Sequence, residues 1–246
     1  YQAVIGFRAG QPDVLVTSDL RGMAVDLPAP LAKPADAAWP LRYESAQING
    51  SGRSRFRVDV ADQLVVAYER DAASGRVARG VIGVGPQAMP QLALPDSGVV
   101  ARLHTPRLDA EAWDEALTSL FGDDAASATA PAAAPDHGFV PTVWSVRTGQ
   151  LLADDRTLHD VVASGTRDGR VWRADVQARE LAGRVEYSEG AGGRAGKVHA
   201  RLARLSIPAS SAGDDQTLLA QPPANIPALD VVAEQFELRG KKLGRM

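Results

Sequence analysis

The sequence predicts a mainly β fold of antiparallel strands with one short α-helix at about residues 109–121. Apolar residues recur at every second position in many short segments, which places them on one face of a strand. Glycine and proline, 23 and 16 of 246 residues, are frequent enough to supply many turns between short strands. Only one segment has the spacing of an amphipathic helix.

The clearest β pattern lies in residues 53–84, which we predict to be a three-stranded antiparallel meander. Residues 61–63 and 71–75 have the composition of turns and separate the three strands. One face is apolar and the other is charged. The apolar positions of the first two strands are Phe56, Val58, Val60, Leu64, Val66 and Tyr68. Such a face needs an apolar covering, which could be protein or ligand.

The region before the meander contains further strand patterns. Residues 2–7 form the first, and residues 14–27 indicate one or two strands with Gly22 as a possible bulge. Three prolines between residues 28 and 34 predict an extended loop, because proline cannot continue a strand ladder. Residues 39–43 begin the strand that leads into the meander.

A strand and the one predicted helix follow the meander. Alternating apolar residues in the strand are Val99, Ala101 and Leu103. Asp109 is a good N-cap for the helix and Gly122 a natural terminator. The apolar stripe, which we expect to pack on the sheet, comprises Trp113, Leu117 and Leu120.

Residues 123–138 consist mostly of Asp, Ala, Ser, Thr and Pro, so we predict a flexible insertion that cannot bury enough apolar surface to order itself. Beyond it the alternation resumes and predicts more strands. The alternating positions are Trp172, Ala174, Val176, Val185, Tyr187, Val198, Ala200 and Leu202. A change of phase after Leu202 predicts a bulge. We expect a hairpin tip at residues 190–196, a loop at 210–227, and a final strand or pair of strands at 229–238.

Composition and motifs argue against several classes of function. The net charge is −3 with mixed signs and no basic block, so we expect no nucleic-acid partner. There is no cysteine, and the four histidines lack metal-ligand spacing, so we predict no metal site and no cofactor. Neither a phosphate-binding loop nor a nucleophile elbow is present, and we predict no enzymatic activity and no catalytic residues.

Four stretches, taken in order, resemble the YhdP family of AsmA-like envelope proteins. They are 17–34, with a Leu-Pro-x-Pro-Leu corner followed by Lys-Pro; 79–85 together with 108–113, which contains a short helix and its tryptophan; 168–172 through 200–208; and 226–245. The resemblance covers nearly the whole chain except residues 123–138. It implies a long, strongly twisted and curved open sheet, groove-like in form, with residues 1–246 as one continuous segment.

The resemblance also implies a function: a periplasmic segment of a lipid-transport bridge between inner and outer membrane. The expected ligand is a phospholipid or fatty-acyl chain. No apolar run in the sequence is long enough to span a bilayer, and the chain begins inside a strand pattern. We therefore expect a piece of a longer protein, and the resemblance implies that an inner-membrane anchor lies outside this piece.

The residues expected to face lipid are the alternating apolar ones: Phe56, Val58, Val60, Leu64, Val66, Tyr68, Val99, Ala101, Leu103, Trp172, Ala174, Val176, Val185, Tyr187, Val198, Ala200 and Leu202. The small ones among them would leave room for a ligand. The alternative is a structural or protein-interaction β-sandwich of the cell envelope, whose inner faces pack together in a dry core. Residue patterns alone favour the sandwich, and the resemblance favours the groove.

Overall fold

The computed structural model describes residues 1–8, 11–86, 88, 92–121, 138–153, 156–190, 196–207 and 228–245. These residues contain fourteen β-strands and one α-helix. The elements are β1 (Gln2–Arg8), β2 (Gln11–Ser18), β3 (Leu41–Ile48), β4 (Arg53–Val60), β5 (Leu64–Asp71), β6 (Val77–Val84), β7 (Gly98–Asp109), α1 (Ala110–Phe121), β8 (Val143–Ala153), β9 (Arg156–Asp168), β10 (Val171–Gln177), β11 (Leu181–Ser188), β12 (Lys197–Ile207), β13 (Ala228–Leu238) and β14 (Lys241–Gly244).

Strand order in the sheet follows the order of the chain, from β1 at one edge to β14 at the other. The prediction of a mainly β, open sheet with a single short helix is therefore confirmed. Among neighbours whose register is described, all are antiparallel except β6–β7 and β12–β13. Parallel neighbours require a connection of a dozen or more residues, and the two strands of each of these pairs are far enough apart in the sequence to allow one.

The chain divides into two compact units. Unit 1 comprises Tyr1–Thr105 and Pro135–Trp144, and unit 2 comprises Pro106–Ala134 and Ser145–Met246. That residues 1–246 form one continuous groove stays a prediction.

The meander at residues 53–84 is confirmed as β4, β5 and β6. Its second turn is closed by Asp71, whose carboxylate accepts hydrogen bonds from the backbone N–H and the hydroxyl of Ser74, at 2.7 and 2.8 Å. These bonds to the ionised form lower the pKa of Asp71.

Residues 19–27 differ from prediction, because β2 ends at Ser18 and no second strand follows at 23–27. A loop forms instead, with one isolated antiparallel bridge between Val25 and Lys33. The buried Lys33 ammonium group donates to the carbonyl oxygens of Met23 and Pro34, at 2.7 and 3.0 Å. Because a buried charge needs such partners, these bonds hold the loop in place.

The predicted bulge after Leu202 is confirmed. In the β11–β12 register, Gly183 pairs with Leu202 and Ala182 with Arg204, so Ala203 has no partner. Gly183 has a φ of +152°, and a Cβ there would lie 2.4 Å from the carbonyl oxygen of Arg201. The bulge therefore requires glycine at this position.

The predicted helix is confirmed as α1, and Asp109 caps it by accepting a 3.0 Å hydrogen bond from the N–H of Ala112. The expected packing of its stripe is wrong at Leu117, which is 43% exposed. Four predicted features lie wholly or mostly outside the described residues: the side chain of Leu120, the insertion at 123–138 except residue 138, the hairpin tip at 190–196 except its two end residues, and the loop at 210–227.

Candidate functional site

An apolar row crosses seven neighbouring strands of unit 1. Residues paired in register share a face of the sheet, so each pair extends the row by one strand. From β1 to β7 its members are Ala3, Val16, Tyr43, Val58, Val66, Ile82 and Ala101. We call this set the central row and its side of the sheet the apolar face. None of its members is buried.

Two further rows flank the central row on the apolar face. One contains Leu41, Val60, Leu64, Val84 and Leu103. The other contains Ile5, Val14, Ser45, Phe56, Tyr68, Gly80 and Val99. Beyond this second row the next register positions on β3, β4 and β5 are polar, namely Gln47, Ser54 and Arg70, whereas those on β1, β2 and β6 are Phe7, Pro12 and Val77. The apolar face therefore has a polar margin at β3 to β5.

An aromatic cluster covers part of the second flanking row. The ring of Tyr68 lies 5.3 Å from that of Phe56 and 5.2 Å from that of Phe139, and its hydroxyl donates a 2.9 Å hydrogen bond to the carbonyl oxygen of Phe139. Tyr68 lies flat over Gly80, where a Cβ would come within 2.2 Å of its ring. Burial raises the pKa of Tyr68 to about 12. This corner is closed by protein.

The opposite face of unit 1 is charged on β4 and buried on β5 and β6. On these two strands Val65, Ala67 and Val81 are buried, and the side chain of Leu92 lies against Gly83. This face therefore carries a small buried core on β5 and β6, which Leu92 helps to cover. The sequence predicted only its charged character.

Glu69 is the most deeply buried charge on this face, with a side chain 1% exposed. It accepts a 2.7 Å hydrogen bond from Arg79 Nε and a 2.9 Å bond from Arg55 Nε. The bond from Arg79 and then that from Arg55 outweigh burial and lower the pKa of Glu69. The three residues lie in register on neighbouring strands, so they bind β4, β5 and β6 together.

Unit 2 has an apolar face of the same kind across β9 to β13. Its rows are Ala163, Val176, Gly183, Leu202 and Ala233; Gly165, Ala174, Val185, Ala200 and Val231; and Arg167, Trp172, Tyr187, Val198 and Leu229. The reverse face carries exposed ion pairs between neighbouring strands: Arg173–Glu186, Arg184–Asp175 and Arg201–Asp230. The hydrogen bond from Arg201 lowers the pKa of Asp230.

The two ends of this face differ in packing. Ala200, Leu202 and Ala233 form a buried cluster on β12 and β13, against which Val185 and Phe236 pack. At the third row, Tyr187 and Leu229 are exposed. The apolar face of unit 2 is therefore packed at Ala200, Leu202 and Ala233 and exposed at Tyr187 and Leu229.

The registers bring together all the sequence-predicted residues of each unit on one face. Of the seventeen, Tyr68, Val99, Ala200 and Leu202 are buried, Tyr187 is exposed, and the others are partly exposed. Residues that sequence reasoning omitted from the face include Tyr43 and Ile82, which lie in the central row. Their period-two alternation with Leu41 and Val84 is visible in the sequence and could have identified them.

No helix within the described ranges is long and apolar enough to cross a membrane. Nor do those ranges contain three or more potential ligands grouped in a way that could hold a metal ion.

A family model described as YhdP protein matches residues 2–246. Neither a curated protein nor a solved structure gives a significant match. Because the family model covers almost the entire chain, the chain belongs to the YhdP family.

Proposed function

We propose that this chain is a non-enzymatic segment of a lipid-transport bridge and binds the acyl chains of phospholipids on its apolar faces. The observation that carries the proposal is the central row of unit 1. Seven consecutive strands contribute one residue each, and every one of them keeps part of its surface exposed. A contiguous exposed apolar surface of this kind is typical of a binding site.

The dimensions of the central row suit an acyl chain. Neighbouring strands lie about 4.8 Å apart, so seven strands extend over about 29 Å. The acyl chains of one leaflet fill about half of a 30 Å hydrocarbon core, or about 15 Å. A chain lying across the strands therefore fits within unit 1. Its burial is favourable by about 25 cal/mol per Å² of apolar surface and requires no particular aliphatic residue.

Family membership supports the cellular part of the proposal. We place the chain in the periplasm, as a piece of a longer protein with its inner-membrane anchor outside residues 1–246. Phospholipid would pass along it between the inner and outer membranes. The open sheet is consistent with such a path, since lipid can enter from the side.

A second candidate is a structural or protein-interaction module of the envelope. The buried cluster of Ala200, Leu202 and Ala233 favours it for β12 and β13, because an ordinary dry core needs no ligand. The partly exposed central row of unit 1 favours lipid binding.

Mass spectrometry of lipids extracted from the purified chain tests the proposal, combined with titration of the lipid-free chain with a fluorescent fatty acid. We expect co-purified phospholipid and saturable binding of the fatty acid. An unrelated β protein of similar size, purified in parallel, controls for lipid carried over from the membrane. Absence of both phospholipid and fatty-acid binding would leave the structural module as the function.

A further inference from the structure

Arg70 lies on the same side of the sheet as the apolar rows. On β5 it follows Leu64, Val66 and Tyr68 at the same period-two positions, and its register partner on β4 is Ser54. It therefore stands at the polar margin, next to the flanking row that contains Phe56. This position differs from those of Arg55 and Arg79, whose register partner Glu69 belongs to the opposite face.

The side chain of Arg70 is held in place but its charge is not neutralised. Its Nε donates a 3.1 Å hydrogen bond to the hydroxyl of Ser54, and its guanidinium carbon lies 6.0 Å from the centre of the Phe56 ring. No carboxylate among the described residues lies within ion-pair distance of it. The remaining N–H groups of an exposed guanidinium are therefore available to an anion.

Unit 2 contains a useful contrast. Arg167 also lies over an aromatic ring on an apolar face, 5.3 Å from the centre of Trp172. Its Nε, however, is 3.9 Å from the carboxylate of Glu189, which also accepts a 2.6 Å hydrogen bond from the indole of Trp172. The charge of Arg167 is thus compensated by protein, whereas that of Arg70 is not.

We propose that Arg70 binds the phosphate of a phospholipid headgroup whose acyl chain lies on the central row. This inference rests on the proposed function and adds a position for the headgroup. On β4 the partly exposed Phe56 lies between Ser54, the register partner of Arg70, and Val58 of the central row. It therefore connects Arg70 to the central row beside the corner that Phe139 closes. A guanidinium fork matches the geometry of phosphate oxygens, and its ring contact fixes the orientation of the fork.

Two probes that differ only in phosphate test the proposal: oleoyl lysophosphatidic acid and monooleoylglycerol, each titrated into the lipid-free 246-residue chain below its micelle concentration. Arg70→Gln should weaken binding of the phosphorylated probe about tenfold, as expected for loss of a charge-assisted hydrogen bond, and leave monooleoylglycerol within about twofold. Arg53→Gln is the matched control, because it removes the same charge from the opposite face of neighbouring β4. It should change neither affinity.

The possible results separate the two proposals. Equal losses for both probes in Arg70→Gln, or no loss for either, would overturn the assignment of the headgroup while leaving acyl binding in place. A similar loss in Arg53→Gln would also overturn it, because general electrostatic attraction would then explain the effect. If the wild-type chain bound neither probe, the proposed function would fail and the headgroup site with it.

Discussion

The hydroxyl of Tyr68 donates a hydrogen bond to the carbonyl oxygen of Phe139, joining residues 71 positions apart in the sequence. The two rings meet edge to face at an interplanar angle of 70°. This contact closes one corner of the apolar face in unit 1, while the central row beside it stays partly exposed. The apolar face of unit 1 therefore has a packed corner and, beside it, a row that keeps part of its surface exposed.

Tyr68→Phe should lower the free energy of unfolding by about 0.5–1.5 kcal/mol, the usual net contribution of one hydrogen bond to stability. The ring and its stacking are kept, so only the hydroxyl is tested. Urea denaturation followed by circular dichroism measures the change. Tyr43→Phe is the control, since Tyr43 lies in the central row and its hydroxyl has no hydrogen bond among the described residues. An equal loss in both variants would contradict the role of the bond to Phe139.

The raised pKa of Tyr68 predicts that its hydroxyl ionises at a higher pH than that of an ordinary tyrosine. Burial raises it to about 12 from the ordinary value of about 10. The protonated form thus stabilises the folded state fully below pH 10, and that stabilisation is lost as the pH rises towards about 12. Absorbance of the phenolate, compared between the wild type and Tyr68→Phe, measures the titration. If the difference in phenolate absorbance between the two proteins were complete near pH 10, Tyr68 would be solvated.

Glu69→Gln should destabilise unit 1 by about 1–3 kcal/mol, because two arginines lose their shared carboxylate and a buried amide replaces it. Partial solvation of both arginines keeps the loss below that of a fully buried pair. Glu44→Gln, which breaks the exposed pair with Arg42, should cost under about 1 kcal/mol.

The carboxylate of Glu69 also predicts that the stability of the folded state depends on pH. Since the pKa of Glu69 is lowered in the folded state, its stabilisation is present above the ordinary glutamate value of about 4.3 and is lost as the pH falls through the lowered value. The stability difference between wild type and Glu69→Gln should shrink in that range. Urea midpoints measured at a series of pH values test this, and a constant difference down to the acid limit would contradict it.

Much of the fold follows from period-two alternation and turn chemistry. The β4–β6 meander, the bulge beside Ala203 and the cap at Asp109 are local features, each set by a few adjacent residues. Strands β8 and β9 were not predicted from the sequence. Their apolar positions are interrupted by polar and small residues, so burial of Val161 and Ala163 depends on neighbours distant in sequence.

The sequence predicts which apolar residues share a face of the sheet, but not which parts of the sheet other segments cover. Alternation alone indicates that Val58 and Val66 share a face. It cannot reveal that Phe139 covers Tyr68, or that the opposite face of β5 is buried, because both depend on segments that return from later in the chain. Similarly, the difference between Arg70 and the paired arginines arises from registers between strands.

Asp109→Ala should destabilise α1 by about 1 kcal/mol, because the N–H of Ala112 loses its acceptor and the first turn loses a negative charge. Amide hydrogen exchange of residues 110–113 measures this locally, and we expect faster exchange there. Asp114→Ala, on the exposed side of the helix, removes the same charge without a capping bond. Equal acceleration in both variants would show that charge, rather than capping, protects the helix start.

Glutamate variants of the adjacent residues Val65 and Val66 test most directly whether the central row is the proposed lipid-binding surface or part of a dry core. Val65 is 6% exposed on the opposite face of β5, so Val65→Glu buries a carboxylate and should cost several kcal/mol. Val66 lies in the central row with part of its surface exposed, so a glutamate there can reach water. We expect Val66→Glu to keep near-native circular dichroism and to lose binding of a fluorescent fatty acid, because a charge beside the acyl chain must be desolvated.

Val58→Glu should reproduce the behaviour of Val66→Glu, because the two valines are register partners in the central row. The strand, the residue type and the introduced charge are shared between the Val65 and Val66 variants, and only the face differs. Unfolding of Val66→Glu and Val58→Glu to the same extent as Val65→Glu would mean that the central row is a dry core. Normal folding with undiminished fatty-acid binding in both would place the acyl chain elsewhere. Only loss of binding with retained folding agrees with an acyl chain on the central row.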